Sequence, residues 1–198
     1  MKEQIILIGL LSLLWSCKSI KNTTNKVMAL APSEAAVQES TPDSLSFPDS
    51  WEGHYKGQLN IYPGTKTIST YDMELRIGAA DLSGHYPWTL IYNNEDVRAY
   101  GLIEIDKEQG LYKIDEYNSI KIEAFYKGDH FMSKFNVMGS DLLVDYEKIG
   151  EDIRIRFYVS NDNPISETGG EVFTTDTVPN VKAFPILVFQ EALLKKVK

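Results

Sequence analysis

From residue 51 onward apolar side chains recur at every second position, and this period constrains the fold more than any other feature of the chain. In Trp51-Glu52-Gly53-His54-Tyr55-Lys56-Gly57-Gln58-Leu59-Asn60-Ile61 the odd positions are Trp, Gly, Tyr, Gly, Leu and Ile, and the even ones are all polar or charged. Tyr71, Met73, Leu75 and Ile77 repeat the pattern against Thr70, Asp72, Glu74 and Arg76. Successive side chains on a strand point to opposite faces, so each run predicts a strand with one buried face.

These two spans, 51–61 and 70–77, are followed by eight further candidates at 86–92, 97–105, 111–114, 120–126, 130–137, 142–146, 153–159 and 181–189. Turn pairs such as Pro63-Gly64, Asn93-Asn94, Gly128-Asp129 and Gly139-Ser140 punctuate them. No helix of ordinary length intervenes. The expectation is an all-β domain, an antiparallel up-and-down meander of about 8–10 strands. Greek-key sandwiches need long crossovers, and nearly every link here is of hairpin length, which favours a closed barrel. The one long link, 160–180, reads as a flap or as a crossover that closes the barrel. Pro185 falls inside the last candidate strand and cannot donate to a ladder, so closure is expected to be imperfect there. Residues 190–198 fit either a continued strand or a short helix.

The opening Trp51-Glu52-Gly53-His54-Tyr55 resembles the first-strand tryptophan and glycine pattern of the calycin barrels, the lipocalins and their fatty-acid-binding relatives. The resemblance implies a calycin-like barrel over residues 51–198. It also implies an arginine from a late strand packed on the tryptophan, for which Arg154 and Arg156 are the candidates. The Trp-x-Gly-x-Tyr-x-Gly run is similar to that of uncharacterised bacterial envelope lipoproteins, from which no activity follows.

The N-terminal segment gives an address. Lys2 precedes an apolar run from Ile5 to Trp15, eleven residues long, which is too short for the roughly 20 a spanning helix needs and suits a cleaved signal. Leu14-Trp15-Ser16-Cys17 resembles a lipobox, with the single cysteine of the chain as the acylated first residue of the mature protein. Residues 1–16 are thus read as a lipoprotein signal peptide and 17–50 as the lipidated Cys17 and a tether rich in Ser, Thr, Asn and Pro. Several acyl chains on one residue would anchor the domain durably to a membrane. The residues after the cysteine, Lys18-Ser19-Ile20-Lys21-Asn22, lack the acidic cluster that resembles a surface-export signal, so the expected place faces the periplasm of a Gram-negative cell, on the outer membrane with the inner membrane as the alternative. With no second cysteine there is no intramolecular disulfide, and stability must come from packing. A composition 43% hydrophobic and 11% aromatic is enough for one core.

Residues 51–198 carry 16 Lys and Arg against 23 Asp and Glu, and that acidic balance, without a basic stripe, argues against nucleic acid as a partner. His54, His85 and His130 stand far apart without a metal-ligand spacing and read as surface or turn residues. No Gly-x-Ser-x-Gly elbow and no phosphate-cradling glycine loop occurs, and Asn161-Asp162-Asn163 with Glu167 and Glu171 departs from the calcium-loop register. No catalytic residue, metal or cofactor is predicted.

Aromatic residues are the remaining signal. They are spread over most strands, Phe125 among them, and in a barrel with a cavity they line a pocket for a hydrophobic or amphipathic ligand. The candidate ligand-binding set is Tyr55, Tyr71, Trp88, Tyr92, Phe131, Phe135 and Phe157. In a filled barrel the same residues are core, and the molecule is then an interaction protein that binds an envelope partner through the flap or an exposed edge.

Overall fold

The structure, a computed structural model, describes residues 46–198. The expected signal peptide, Cys17 and most of the tether lie outside the described residues. The described strands and the core lie within a unit that is compact in itself, Leu45–Lys198, which begins six residues before the boundary read from the sequence. Ten strands close into an antiparallel barrel: β1 (Gly53–Tyr62), β2 (Ser69–Ile77), β3 (His85–Tyr92), β4 (Asp96–Asp106), β5 (Leu111–Asp115), β6 (Lys121–Lys127), β7 (His130–Val137), β8 (Ser140–Ile149), β9 (Asp152–Ser160) and, after an excursion, β12 (Val188–Lys196). Each pairs with its neighbours in sequence, and β12 lies between β9 and β1 to complete the ring.

Two strand assignments differ from the sequence reading. Trp51 is not in the first strand: it ends a single 3-10 turn, Asp49–Trp51, and β1 starts at Gly53. The last candidate strand, 181–189, is two elements. Its first part is β11 (Val181–Ala183), which pairs with β10 (Ser166–Thr168) in a separate two-stranded ribbon, and its end opens the closing strand β12. Pro185 stands between them, where its missing N–H interrupts no ladder. Residues 190–196 therefore continue as strand. Gly57 permits the closure, since a Cβ there would collide with the Leu193 carbonyl oxygen of β12.

Inside, alternation fills the barrel with Tyr55, Leu59, Met73, Leu75, Leu102, Ile153, Ile155 and Leu194, each at most 1% exposed. Outside, the strands carry Lys56, Arg76, Lys113, Glu123, Arg154 and Arg156. This is the reverse of a membrane-spanning barrel, which turns its apolar side chains to lipid. Neither Arg154 nor Arg156 packs on Trp51. Even-numbered residues of β9 face outward, and both arginines join Asp145, Glu147 and Glu191 in an outer ionic network. Phe125 also faces out, because its neighbours Ala124 and Tyr126 take the inward positions.

Three outward carboxylates, Glu74, Asp115 and Asp145, are nevertheless buried. Glu74 is covered by His54 (2.7 Å), Lys56 (2.7 Å) and Arg76 (2.8 Å). The hydrogen bond from Lys56 is the strongest influence, opposed by burial and reinforced by Arg76 and His54, and the carboxyl falls from 4.5 to about 2. A depressed carboxylate stabilises the fold above its unfolded value and loses that contribution as pH falls through the folded one. Lys56 and Arg76 are half exposed, so solvent screens the effect. Glu74→Gln is expected to lower stability by about 1–2 kcal/mol at neutral pH. The gap to the unsubstituted protein closes between pH 4.5 and about 2, as read by urea unfolding at a series of pH values.

Candidate functional site: the two halves of the barrel interior

An up-and-down barrel has two rims. The proximal rim holds the chain's approach to β1, the end of β12 and the connections β2–β3, β4–β5, β6–β7 and β8–β9. The distal rim holds β1–β2, β3–β4, β5–β6, β7–β8 and the excursion from β9 to β12. Residues near the two rims are packed differently.

The proximal half is closed by aromatic packing, with Tyr86 and Tyr126 keeping part of their surface accessible. Phe47 and Trp51, just before β1, enter the barrel and are 3% and 1% exposed. Phe47 stacks on Tyr126 (4.3 Å, 4°) and meets Trp51, Tyr112 and Phe131 at 5.0, 5.0 and 5.1 Å. Trp88 lies beneath them against Phe131 and Tyr146, both at 5.3 Å. Its indole N–H is buried beside the Tyr146 phenol, with no acceptor in regular hydrogen-bond geometry among the described residues. The Tyr55 hydroxyl donates to the Trp51 carbonyl (2.8 Å) and Lys148 Nζ donates to that hydroxyl (3.1 Å), which fixes the 3-10 turn on β1. Burial, with Asp152 and Glu151 nearby, pushes the Tyr55 phenol up to about 12.

The distal half has no such aromatic plug, although Leu59, Leu90 and Val159 are buried there. Tyr71, Tyr100, Ile114, Phe135 and Phe157 occupy inward positions of β2, β4, β5, β7 and β9, yet each keeps part of its surface accessible. Tyr100 and Phe157 are mid-strand, so their partial accessibility is not fraying at an edge. Polar groups lie among them. Ser133 and Gln190, each 5% exposed, alternate inward on β7 and β12, and Gln190 pairs in register with Phe157.

Arg98 is the cation of this half. It shares the inward face of β4 with Tyr100 and Leu102, its side chain is 13% exposed, and it holds Asp96 through Nε and Nη2 (2.8 Å at the shortest). Its guanidinium lies 5.0 Å from the centre of the Tyr92 ring. Burial raises the Tyr92 phenol to about 12 and also raises Tyr100. Burial also raises the Glu116 carboxyl, just past β5.

The seven aromatic residues singled out in the sequence thus fall into two groups. Tyr55, Trp88 and Phe131 belong to the plugged half, and Tyr71, Phe135 and Phe157 line the accessible one. Tyr92 lies under Arg98, 7% exposed. Sequence reasoning missed Arg98, although its spacing of two and four from Tyr100 and Leu102 marks it as inward. It also missed Phe47, which sits in a segment without any period. His54 and His130 are on the outer face, each bonded to one carboxylate, Glu74 (2.7 Å) and Asp145 (2.8 Å). Among the described residues no group of three His, Cys, Asp or Glu side chains is placed to hold a metal ion.

No family model and no curated protein matches the chain. Among solved structures it is similar to a protein of unknown function of the DUF3598 family from Nostoc punctiforme, with a TM-score of 0.53 and 12% identity over 80% of this chain and 53% of that one. The chain spans about half the length of the solved structure it matches. At that identity the likeness shows the fold alone.

Proposed function

We propose that this protein is a lipid-anchored lipoprotein of the bacterial envelope whose calycin-like barrel holds a small hydrophobic or amphipathic ligand in its distal half. The observation that carries the reading is the uneven filling of the interior. The proximal end is plugged by interlocking aromatics from before β1, while beside buried Leu59 and Val159 five inward side chains of the distal half stay partly accessible. Aromatic and aliphatic walls with a few convergent polar groups are the usual chemistry of a small-molecule site. Ser133, Gln190 and the Arg98–Asp96 pair supply those groups. The anchor rests on Cys17 after an apolar run of signal length.

Native mass spectrometry of the protein extracted from its own membranes tests both parts. Acylation on a chain beginning at Cys17 is the expected covalent mass, and one discrete non-covalent adduct is the expected ligand. A chain that retains residues 1–16 removes the anchor. A domain that stays bare after incubation with envelope lipids removes the ligand reading and leaves the partner-binding role.

A further inference from the structure

The excursion between β9 and β12 is unusual for its exposed apolar side chains. Phe173, Phe184 and Ile186 are 55%, 48% and 62% exposed. The ribbon is held to the distal rim at its base, where Leu187 N–H donates to the Val159 carbonyl (2.7 Å) and the Ser160 hydroxyl to the Pro185 carbonyl (2.7 Å). Three of the four hairpin connections on the same rim also present a large apolar residue to solvent: Ile68, Tyr117 and Met138. On the proximal rim, Leu82 alone does so among the four strand connections.

From this we infer that the distal rim docks on a neutral lipid surface, with the accessible half of the barrel turned toward it. The apolar residues sit on separate loop tips around a ring. A rigid protein partner would need complementary pockets at every tip, whereas a fluid interface accepts them individually, each burying its apolar area. Charge decides which lipid. The distal connections contain six acidic residues and two basic ones, so an anionic surface repels this rim and a zwitterionic one does not. The chain outside the described residues allows the orientation. Residues 18–45 have a contour length of roughly 100 Å, about three times the rise of a ten-residue strand. An anchor at Cys17, approaching from the proximal side, therefore does not prevent the opposite rim from reaching the same membrane. The inference adds to the ligand reading a route by which the ligand arrives, and it is measured separately from ligand uptake.

The test is flotation of residues 18–198, which carry the whole self-contained barrel and no acyl chain, with vesicles of phosphatidylcholine alone or mixed with phosphatidylglycerol. The protein is expected to float with the neutral vesicles and less with the anionic ones. Joint substitution of Phe173→Ser, Phe184→Ser and Ile186→Ser is expected to weaken vesicle binding by at least about tenfold. All three side chains are exposed, so the circular dichroism spectrum and the uptake of an apolar probe should be unchanged. Protein that stays soluble beside neutral vesicles, binding that needs anionic lipid, or a triple variant that binds as well as the unsubstituted protein would each overturn the inference. Loss of probe uptake with vesicle binding intact would instead count against the ligand reading alone.

Discussion

Trp51→Ala is expected to destabilise the barrel by about 3–5 kcal/mol, the range for deleting a fully buried tryptophan. The side chain is 1% exposed and closes the proximal end with Phe47, Trp88 and Tyr126 at ring distances of 5.0, 6.4 and 6.0 Å. Its loss removes that burial and leaves a void that surrounding strands, tied into a closed ring, cannot collapse to fill. A domain of this size is stable by about 5–15 kcal/mol, so the effect is a large part of the whole. Urea unfolding of residues 18–198 measures it. Trp51→Phe should recover part of the loss, since a smaller aromatic ring still meets Phe47. A cost below about 1 kcal/mol would mean that the segment before β1 does not occupy the barrel in solution.

The same residue shows what the sequence can and cannot tell. Trp51 continues the odd-numbered apolar series of Tyr55, Leu59 and Ile61 and so reads as strand, yet it reaches the interior from a turn beneath the barrel. Periodicity records that a side chain is buried and is silent on how the backbone brings it there. Phe47 has no periodic neighbours, and only the closed ring of strands supplies the cavity end into which it fits. The meander itself was legible because every inward face alternates. The closing strand was misplaced because the apolar run around Phe184, Ile186 and Leu187 imitates a strand and is in fact exposed surface beside a proline. The difference between the two halves of the interior was not legible at all. Tyr55 and Tyr71 are equivalent in the pattern, and they part only when the 3-10 turn seals one end and leaves the other.

Ile114→Trp is expected to weaken binding of an apolar probe by at least about tenfold while changing stability by less than about 1.5 kcal/mol. Ile114 faces inward on β5, paired in register with Leu102 on one side and Ile122 on the other, and part of its surface is accessible. If the distal interior holds the ligand, an indole there takes up ligand space and displaces the ligand without forcing neighbouring strands apart. Ala124 on β6 is the contrasting position. It is 0% exposed and faces Tyr112 across the ladder, so Ala124→Trp overpacks the barrel and should cost about 3 kcal/mol or more, whatever it does to binding. Probe titration and urea unfolding of both variants separate the two halves of the interior. If Ile114→Trp is as destabilising as Ala124→Trp, the distal half is packed solid, and the exposed rim rather than the barrel interior carries the function. If Ile114→Trp is tolerated but the probe binds unchanged, the ligand lies elsewhere on the protein.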